Sequence, residues 1–397
     1  MTARAATATT TASRLIIKVD TLNSTVLPTD VAPDPGEGER PRQRHPWRWL
    51  TVLCLLVAVG IVASLTVYLP YYAYTPGSAT DTEHVIKIEG AQSYPSDGEI
   101  DYTTVRIQHL TPWRAFMAWR DPAIDVVSER AYLGPLSPSD NKAFNLELMG
   151  ASKEAAVYVA LTKLGYDVPV SGGGAVVRDV SPDVPAASVL KTGDVILAVN
   201  GTPVHLDSDL GPILAKFKPG DKVTLTIERP VPDSASFGGT QEYDSLSPLV
   251  TLAARDDGTA LIGIAPGTRN DVKFDFPFNV DIDSGSVGGP SAGLAFTLGV
   301  IDALTPGELT GGVKVATTGT INLDGTVGAV GGVKQKTVTV ERAGAEVFLV
   351  PASEAQEARD AAGDSDLKIV PVEDVDDALA ALAEVGGNGA DLVSNAA

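Results

Sequence analysis

The fold of this chain is decided at Gly288-Gly289-Pro290-Ser291-Ala292-Gly293, a glycine-rich turn followed by a run of apolar residues from 294 to 304. A helix that is apolar all round is buried, so we expect the turn to be pinned to the core with Ser291 at or near the first helical position. The helix N-terminus carries free N–H groups and a partial positive charge, which favour a developing oxyanion. The alternative interpretation is that Ser291 merely caps the helix.

A second glycine-rich stretch, Gly331-Gly332-Val333-Lys334-Gln335-Lys336, opens another predicted helix. A serine hydroxyl needs a base to become a nucleophile. All 4 histidines lie before residue 206, which excludes a Ser-His-Asp site built within this C-terminal region. A lysine can serve instead if desolvation lowers its pKa from about 10.4 towards 7, because the neutral amine can accept the serine proton. Read alone, Lys336 is more typical of a solvated lysine on a helix surface.

Together these stretches resemble the proteolytic domain of Lon proteases, a family with a Ser-Lys dyad. The resemblance covers roughly residues 255–385. It rests on Pro290-Ser291-Ala292-Gly293, on Gly-Gly-Val-x-x-Lys ending at Lys336, on Thr318-Gly319-Thr320-Ile321 and on Asp324-Gly325-Thr326-Val327.

The resemblance implies a role for each matching residue. Ser291 would be the nucleophile, Lys336 the general base and Thr318 a hydrogen-bond partner of the lysine, whereas Lys334 lies outside the dyad. The turn residues Gly289, Pro290, Ala292 and Gly293 would form the oxyanion turn. Typical Lon sequences carry an acidic residue three positions before the serine, and this chain has Gly288 there.

Residues 47–70 predict one transmembrane signal anchor. No charged residue occurs from 50 to 69, a length sufficient to cross about 30 Å of hydrocarbon. Trp47 and Trp49 precede this run and a group of tyrosines follows it, as in an aromatic belt. Arginines on the N-terminal side place residues 1–46, a predicted disordered tail, in the cytoplasm and the later domains outside it. The alternatives are a cleaved signal peptide and a buried core helix.

Residues 168–232 predict a peptide-binding module. The segment from Lys191 to Gly201 reads KTGDVILAVNG and ends in an Asn-Gly hairpin signal. Over residues 172–230 it looks like a PDZ domain, a family that binds the end of an extended peptide by adding it to a sheet edge. The resemblance implies a peptide site at Gly172, Gly173, Gly174, Ala175 and Val176. The alternative is a structural β-module with a closed groove.

The predicted fold class is therefore multidomain α+β. The transmembrane helix leads into a strand-rich segment at 71–167, the PDZ-like module, a linker or long loop at 233–254, a Lon-type α/β domain at 255–385 and a flexible tail at 386–397. A formal net charge of −20 argues against nucleic acid as a partner. The single cysteine, Cys54, allows no intrachain disulfide.

The predicted function is that of a membrane-anchored serine endopeptidase resembling bacterial PDZ–Lon membrane proteins. No phosphate-binding loop occurs in the sequence, so we expect an ATP-independent enzyme without a metal or other cofactor, acting on unfolded or extended proteins outside the cytoplasm. The sequence leaves open whether the protein forms a homo-oligomer. One alternative is a C-terminal processing protease, in which the dyad lysine follows the serine much more closely. Another is an anchored scaffold or holdase that binds peptide termini without catalysis.

Overall fold

The computed structural model describes residues 46–231, 241–255, 257–269, 271–389 and 392. The predicted cytoplasmic tail lies almost wholly outside these residues, as do the first part of the predicted linker and most of the predicted C-terminal tail. The chain divides into a unit at 1–58 and a unit at 59–397. The two predicted globular domains both lie in the second unit.

The helices differ in length and in their place along the chain. They are α1 (Pro46–Thr66), α2 (Pro112–Arg120), α3 (Glu129–Leu133), α4 (Pro138–Lys163), α5 (Leu210–Leu214), α6 (Gly293–Leu304), α7 (Val333–Ala343), α8 (Ala355–Ala362) and α9 (Val375–Glu384). Single 3-10 turns occur at Pro185–Ser188, Asp207–Asp209 and Ala352–Glu354.

The strands are mostly short and are interspersed with the helices along the sequence. They are β1 (Tyr71–Asp81), β2 (Ile86–Glu89), β3 (Glu99–His109), β4 (Asp125–Ser128), β5 (Val170–Ser171), β6 (Ala175–Val180), β7 (Val195–Val199), β8 (Thr202–Pro203), β9 (Lys222–Pro230), β10 (Tyr243–Leu246), β11 (Leu249–Thr251), β12 (Ala253–Ala254), β13 (Ala260–Leu261), β14 (Ile264–Thr268), β15 (Lys273–Phe274), β16 (Asn279–Ile282), β17 (Lys314–Thr317), β18 (Thr320–Ile321), β19 (Val327–Gly328), β20 (Val347–Pro351) and β21 (Lys368–Val372).

Helix α1 contains a segment, Trp49–Thr66, that is long and apolar enough to cross a membrane, with a mean hydropathy of 2.4. The segment carries no charged side chain, which accounts for its hydropathy. A helix also satisfies its own backbone hydrogen bonds, as a span through hydrocarbon requires. A signal sequence near the N-terminus can also meet these criteria of length and composition. The helix is therefore weak evidence for a membrane span.

A six-stranded sheet with the order β21-β20-β17-β3-β1-β4 supports the Ser291 region. Strand β17 pairs in parallel with β3 and with β20, and β1 pairs antiparallel with β3 and β4. The segment that we expected to form a separate lead-in thus provides three strands of the same sheet. Most side chains of β17 and all of β20 are buried, and a buried strand needs a hydrogen-bonded partner on each edge.

Helix α6 lies in the main hydrophobic core. Its apolar residues are buried almost without exception, and Phe296, Leu298 and Val300 are fully covered. Helix α4 packs along α6 and contributes small buried residues such as Ala156 and Ala160. Small side chains let the two helix backbones approach closely, which fixes the start of α6 and the turn before it.

The second sheet has the order β10-β9-β7-β6-β14, with β8 and β11 attached to β7 and β9. Its own core contains Val177, Ile196, Leu225 and Ile227. Strands β10 and β11 fall inside the predicted linker at 233–254, so the linker prediction is wrong for its described second half. The reason is that Val250 of β11 is buried against this core, an apolar contact that the neighbouring Ser and Pro residues concealed.

Candidate active site

Ser291 lies in a turn two residues before α6, which begins at Gly293. Its carbonyl oxygen accepts hydrogen bonds from Gly319 N at 3.0 Å and from Thr318 Oγ1 at 3.3 Å. From the other side, Ser152 Oγ of α4 donates to the Pro290 carbonyl at 3.0 Å. The turn is therefore held between α4 and the strand connection at 318–319, and the half-buried Ser291 has a fixed backbone.

Glycine is required where this turn touches its neighbours. A Cβ at Gly293 would lie 2.8 Å from Ile321 N and 2.9 Å from Ser152 Oγ. Gly289 has a φ of +91° and donates its N–H to the Asn145 carbonyl at 2.7 Å. These contacts explain the glycine spacing that the sequence displays around the serine.

Gly288, the departure from typical Lon sequences, also abuts α4. A Cβ at this position would lie 3.0 Å from the Asn145 Cβ and 3.2 Å from the Asn145 carbonyl carbon. A side chain at 288 would therefore be in tight contact with α4, which would have to shift by a few tenths of an ångström to accept it. Glycine at 288 is matched to the close approach of this helix.

Lys336 is carried by the first turn of α7, and its side chain is buried, with 2% of its surface exposed. Its Nζ donates to Thr318 Oγ1 at 2.8 Å, and Thr318 is its hydrogen-bond partner within the described part of the chain. Burial lowers the pKa of Lys336 to about 7, because the charged form loses its hydration. The negative charge of Glu354 opposes this effect and raises the pKa by a smaller amount.

Thr318 connects the two predicted dyad residues. Its hydroxyl hydrogen is directed to the Ser291 carbonyl, so its oxygen accepts from the Lys336 amine. The Thr318 backbone N–H is bound to the Leu349 carbonyl at 3.0 Å, which ties the threonine to β20. A neutral amine that donates to Thr318 retains its lone pair for another proton.

Ser291 and Lys336 line one cleft of about 880 Å³, together with Gly288, Gly289, Pro290 and Ala292. The predicted lysine and serine are therefore brought to the same space from stretches that are far apart in sequence. Lys334 is directed elsewhere: its Nζ forms an ion pair with Asp125 Oδ1 of β4 at 2.8 Å.

The predicted oxyanion turn has fewer free backbone N–H groups than expected. Gly289 N–H is bound to Asn145, Gly293 N–H is bound to the Pro290 carbonyl at 3.2 Å, and Pro290 has no N–H. Within the described residues, the N–H groups of Ser291 and Ala292 have no hydrogen-bond acceptor. Within the predicted oxyanion turn, the N–H groups of Gly289 and Gly293 are therefore engaged, and those of Ser291 and Ala292 are the ones left free.

No functional residue was predicted in residues 71–167, yet this segment forms one side of the cleft. Tyr72 and Tyr74 of β1 and Asn141, Lys142 and Asn145 of α4 line it. The available signal was the cluster of small residues in α4, which is typical of a helix packed closely against another helix. That signal gives no partner, so it could not have placed α4 beside Ser291.

The predicted peptide site at residues 172–176 is not a free sheet edge. Strand β6 is paired with β7 on one side and with β14 on the other, and Ala175 has a partner on both. The loop at Gly172–Gly174 is filled by His205, whose carbonyl accepts from Gly174 N at 2.8 Å. Because a strand with two partners cannot accept a third, a peptide cannot be added to β6 at Ala175 and Val176, so the site predicted at Gly172, Gly173, Gly174, Ala175 and Val176 has no free strand edge. The edge strand on this side of the sheet is β14.

Burial of Lys336 predicts that its replacement stabilises the fold. In the unfolded chain a lysine has a pKa of about 10.4, so between roughly pH 7 and 10.4 the unfolded state binds more protons than the folded state. The unfolding free energy of the wild type therefore falls as the pH is lowered through this window. We expect Lys336→Met to raise the unfolding free energy at pH 7 by roughly 4 kcal/mol, with the gain vanishing towards pH 10.5. Urea unfolding at both pH values measures this, and a loss of stability at pH 7 contradicts it.

Thr318 gives a prediction about positioning. Thr318→Val retains the shape of the side chain but removes the acceptor of the Lys336 N–H, a hydrogen bond that strengthens when the amine becomes charged. If Lys336 is the general base for Ser291, kcat of that reaction should fall about tenfold to hundredfold. Loss of the hydrogen bond also lowers the pKa of the amine, so the acidic limb of the pH profile of the rate should move to lower pH. Thr318→Ser should restore both quantities, which a general packing defect would not allow.

Replacement of Gly173 tests whether the loop at Gly172–Gly174 is filled by His205 rather than open to a ligand. A Cβ at Gly173 would lie 2.3 Å from the His205 carbonyl oxygen, whereas the same atom at Gly201 meets nothing within 4 Å. Both residues have φ in the left-handed region, at +71° and +80°, so the backbone strain is matched. We expect Gly201→Ala to cost about 1–2 kcal/mol and Gly173→Ala clearly more, as measured by urea unfolding. Equal costs would contradict a filled loop.

No cluster of His, Cys, Asp and Glu able to hold a metal ion occurs among the residues that the structure describes. The chemistry described above draws on a hydroxyl, an amine and backbone N–H groups.

Two segments of the chain match known domain families. Residues 162–237 match the PDZ domain and residues 269–384 match the Lon protease (S16) C-terminal proteolytic domain. A "Probable periplasmic serine endoprotease DegP-like" of Pseudomonas putida (strain W619) is 30% identical over 217 residues, which cover 53% of this chain and 40% of the relative. A "Lon protease" of Malacoplasma penetrans (strain HF-2) is 32% identical over 174 residues, which cover 43% of this chain and 20% of the relative.

A solved structure is also similar, that of the PDZ domain of the SdrC-like protein from Listeria monocytogenes. It is 28% identical, covers 25% of this chain and 92% of that chain, and has a TM-score of 0.19. The matches to the two curated relatives named above span less than half of the length of either one.

Proposed function

We propose that this chain, a PDZ-containing Lon-type protease by its two matched domains, is a serine endopeptidase with Ser291 as nucleophile and Lys336 as general base. The observation that carries the proposal is the environment of Lys336. The amine is buried, has a pKa of about 7, and is linked through Thr318 to the backbone of Ser291 in one cleft. A structural lysine would gain nothing from this burial, which disfavours its charged form.

In the proposed reaction, Ser291 Oγ attacks the scissile carbonyl and its proton passes to the neutral Lys336 Nζ. The new ammonium group is stabilised by the Thr318 hydroxyl oxygen, which already accepts from Nζ. The N–H groups of Ser291 and Ala292 bind the oxyanion. Lys336 then returns the proton to the leaving amine, and a water activated by the same amine hydrolyses the acyl-enzyme.

We propose extended or unfolded proteins as substrates and ATP-independent cleavage. The cleft is lined by Ser291 together with residues of β1 and α4, and its volume suits an extended chain segment rather than a folded domain. The phosphate-binding loop of a nucleotide-driven motor does not occur in the sequence. Strand β14, at the edge of the PDZ sheet, provides backbone groups to which an extended substrate end can be added.

We further propose that α1 anchors the enzyme in a membrane, with the two domains on the extracytoplasmic side. The apolar segment Trp49–Thr66 and the arginines that precede it support this topology. The relatives called periplasmic serine endoproteases support an extracytoplasmic location for the domains.

A serine-reactive activity probe tests the proposed function. We expect covalent labelling of the intact protein, located by mass spectrometry at Ser291 and absent in Ser291→Ala. Lys334→Ala is the matched control and should label like the wild type, because its side chain is bound to Asp125. Labelling that survives in Ser291→Ala contradicts the proposed nucleophile, and a protein that neither labels nor cleaves an unfolded substrate is a scaffold or holdase instead.

A further inference from the structure

Helix α2 has its polarity reversed relative to an ordinary surface helix. Its small residues face the protein, with Ala118 buried and Ala115 half-buried. Its large apolar residues face outward: Trp113, Phe116 and Met117 are 51%, 44% and 49% exposed, and Trp119 is 82% exposed. A soluble helix buries the large apolar side chains, so this surface fits a non-aqueous environment.

The apolar surface of α2 is preformed. Thr111 Oγ1 accepts from Arg114 N at the helix start, Pro112 occupies the first turn, and Asp121 N–H closes the end by donating to Ala118 at 3.2 Å. The rings of Trp113 and Phe116 lie 6.0 Å apart, and those of Phe116 and Trp119 lie 6.4 Å apart. The aromatic side chains therefore form one continuous patch, and binding requires little ordering of the helix.

The patch lies close to the end of the apolar helix α1. Leu69 N donates to the Leu110 carbonyl at 2.8 Å, and Leu110 N donates to the Tyr71 carbonyl at 2.9 Å. The Tyr68 ring stacks on the His109 ring at 4.8 Å. The residues that follow α1 are thus bound directly to those that precede α2, which begins at Pro112. If α1 crosses a membrane, α2 starts at the level where α1 leaves the hydrocarbon.

We propose that α2 lies in the interfacial layer of this membrane, with Trp113, Phe116, Met117 and Trp119 inserted among the lipid headgroups. The inference rests on the proposed anchoring by α1. Tryptophan prefers the membrane–water interface, and amphipathic helices of this kind place their apolar face at the boundary of headgroups and acyl chains.

Charge favours a lipid surface over a second copy of this chain. Arg114 and Arg120 flank the patch and are exposed, and the Arg120 guanidinium lies 5.6 Å from the centre of the Phe116 ring. These cations match anionic lipid headgroups. The chain as a whole carries a formal net charge of −20, so two copies meet with general repulsion. The bilayer is also the one apolar phase that adjoins α2 through the α1 connection.

The interfacial helix adds a second attachment to the one made by α1. Strand β1, whose Tyr72 and Tyr74 line the cleft, begins between these two attachments. A protein held at two points cannot tilt or rotate freely about α1. The cleft is therefore held close to the bilayer surface.

The 4 tryptophans of the chain, at 47, 49, 113 and 119, make the inference testable in the full-length protein. Trp47→Phe/Trp49→Phe leaves the two tryptophans of α2 as reporters, and Trp113→Phe/Trp119→Phe leaves the two of α1. Both variants are reconstituted in vesicles of phosphatidylcholine and phosphatidylglycerol, with bromine atoms placed either high or low on the acyl chains. We expect the α2 reporters to be quenched most by the high bromines, to show blue-shifted emission and to be protected from aqueous iodide.

The two variants separate failure of this inference from failure of the proposed anchor. If bromolipids quench the α1 reporters while iodide alone quenches the α2 reporters, α1 is embedded and the interfacial position of α2 is overturned. Protection of the α2 reporters from both quenchers shows that protein covers the patch, which also overturns it. If bromolipids quench neither pair, the proposed anchoring itself is wrong.

Discussion

Lys336→Met will remove peptidase activity while leaving the protein folded. Methionine is unbranched and similar in length, so it fills the buried space that the lysine occupies without leaving a large cavity. It has no group that can accept the Ser291 proton. General-base catalysis contributes about 10²–10⁴-fold, and loss of a group that acts as a unit with the nucleophile lies at the upper end or beyond. We expect kcat for cleavage of an unfolded protein to fall by at least about 10³-fold, close to the rate of Ser291→Ala.

Lys334→Met is the matched control for this experiment. It makes the same chemical change two residues earlier on the same helix, at a partly exposed side chain paired with Asp125. An exposed ion pair contributes about 0–1 kcal/mol to folding stability, so the variant should remain folded. Because Lys334 is not the proposed base, kcat should be almost unchanged. Equal losses in the two variants would overturn the assignment of the base. Additivity gives a further check: the Ser291→Ala/Lys336→Met double variant should be no slower than either single variant, because each has already lost the dyad.

The second large effect is on the pH profile of kcat/KM. The proposed base, Lys336, can accept a proton only when it is neutral, and its pKa is about 7 because burial disfavours the ammonium form. Activity should therefore reach a plateau above about pH 8 and fall about tenfold per pH unit well below pH 7, which gives roughly a hundredfold loss at pH 5. An ordinary solvated lysine would place this limb near pH 10 instead.

Asp302 is the control for the pH profile. Burial raises the pKa of this carboxyl group to about 6, so it titrates in a similar range. It lies towards the end of α6, where Oδ1 accepts from Leu309 N at 3.3 Å, and it does not line the cleft. Asp302→Asn should leave the limb in place, whereas a limb that disappears in this variant would assign the titration to the carboxyl group. A rate that is flat between pH 5 and 9 contradicts a lysine base altogether.

The two stretches that bring Ser291 and Lys336 to one cleft could be recognised in the sequence because their turn signals are local. The glycines around Ser291 mark a turn entering a buried helix, and the glycines before Lys336 mark the start of another. Both turn signals depend on residues close together in the chain, and the family resemblance added the pairing of the two stretches. The burial of Lys336 was not such a signal, because the residue read alone is typical of a solvated helix lysine, and its 2% exposure is seen only in the structure.

The remaining features depend on pairings between distant residues, which a single sequence does not reveal. Strand β14 lies beyond the Pro- and Ser-rich stretch but occupies the edge of β6 where we had placed a peptide. The N–H of Gly289 is bound to Asn145, and that contact decides which groups remain to bind an oxyanion. The strand-rich segment predicted at 71–167 does contain β1, β3 and β4, yet nothing in its pattern identified β17 as the neighbour of β3.

The pairing of β3 with β17 sets the order in which the protein can be completed during translation. Strand β3 ends at His109, and its parallel partner begins at Lys314. A ribosome that adds about 5–20 residues per second takes roughly 10–40 s to make the intervening chain. The PDZ sheet needs nothing beyond Thr268 and can close first, while one edge of β3 still lacks its partner. Because Lys336 emerges after β17, the nascent chain has no assembled cleft until both β17 and α7 have left the ribosome.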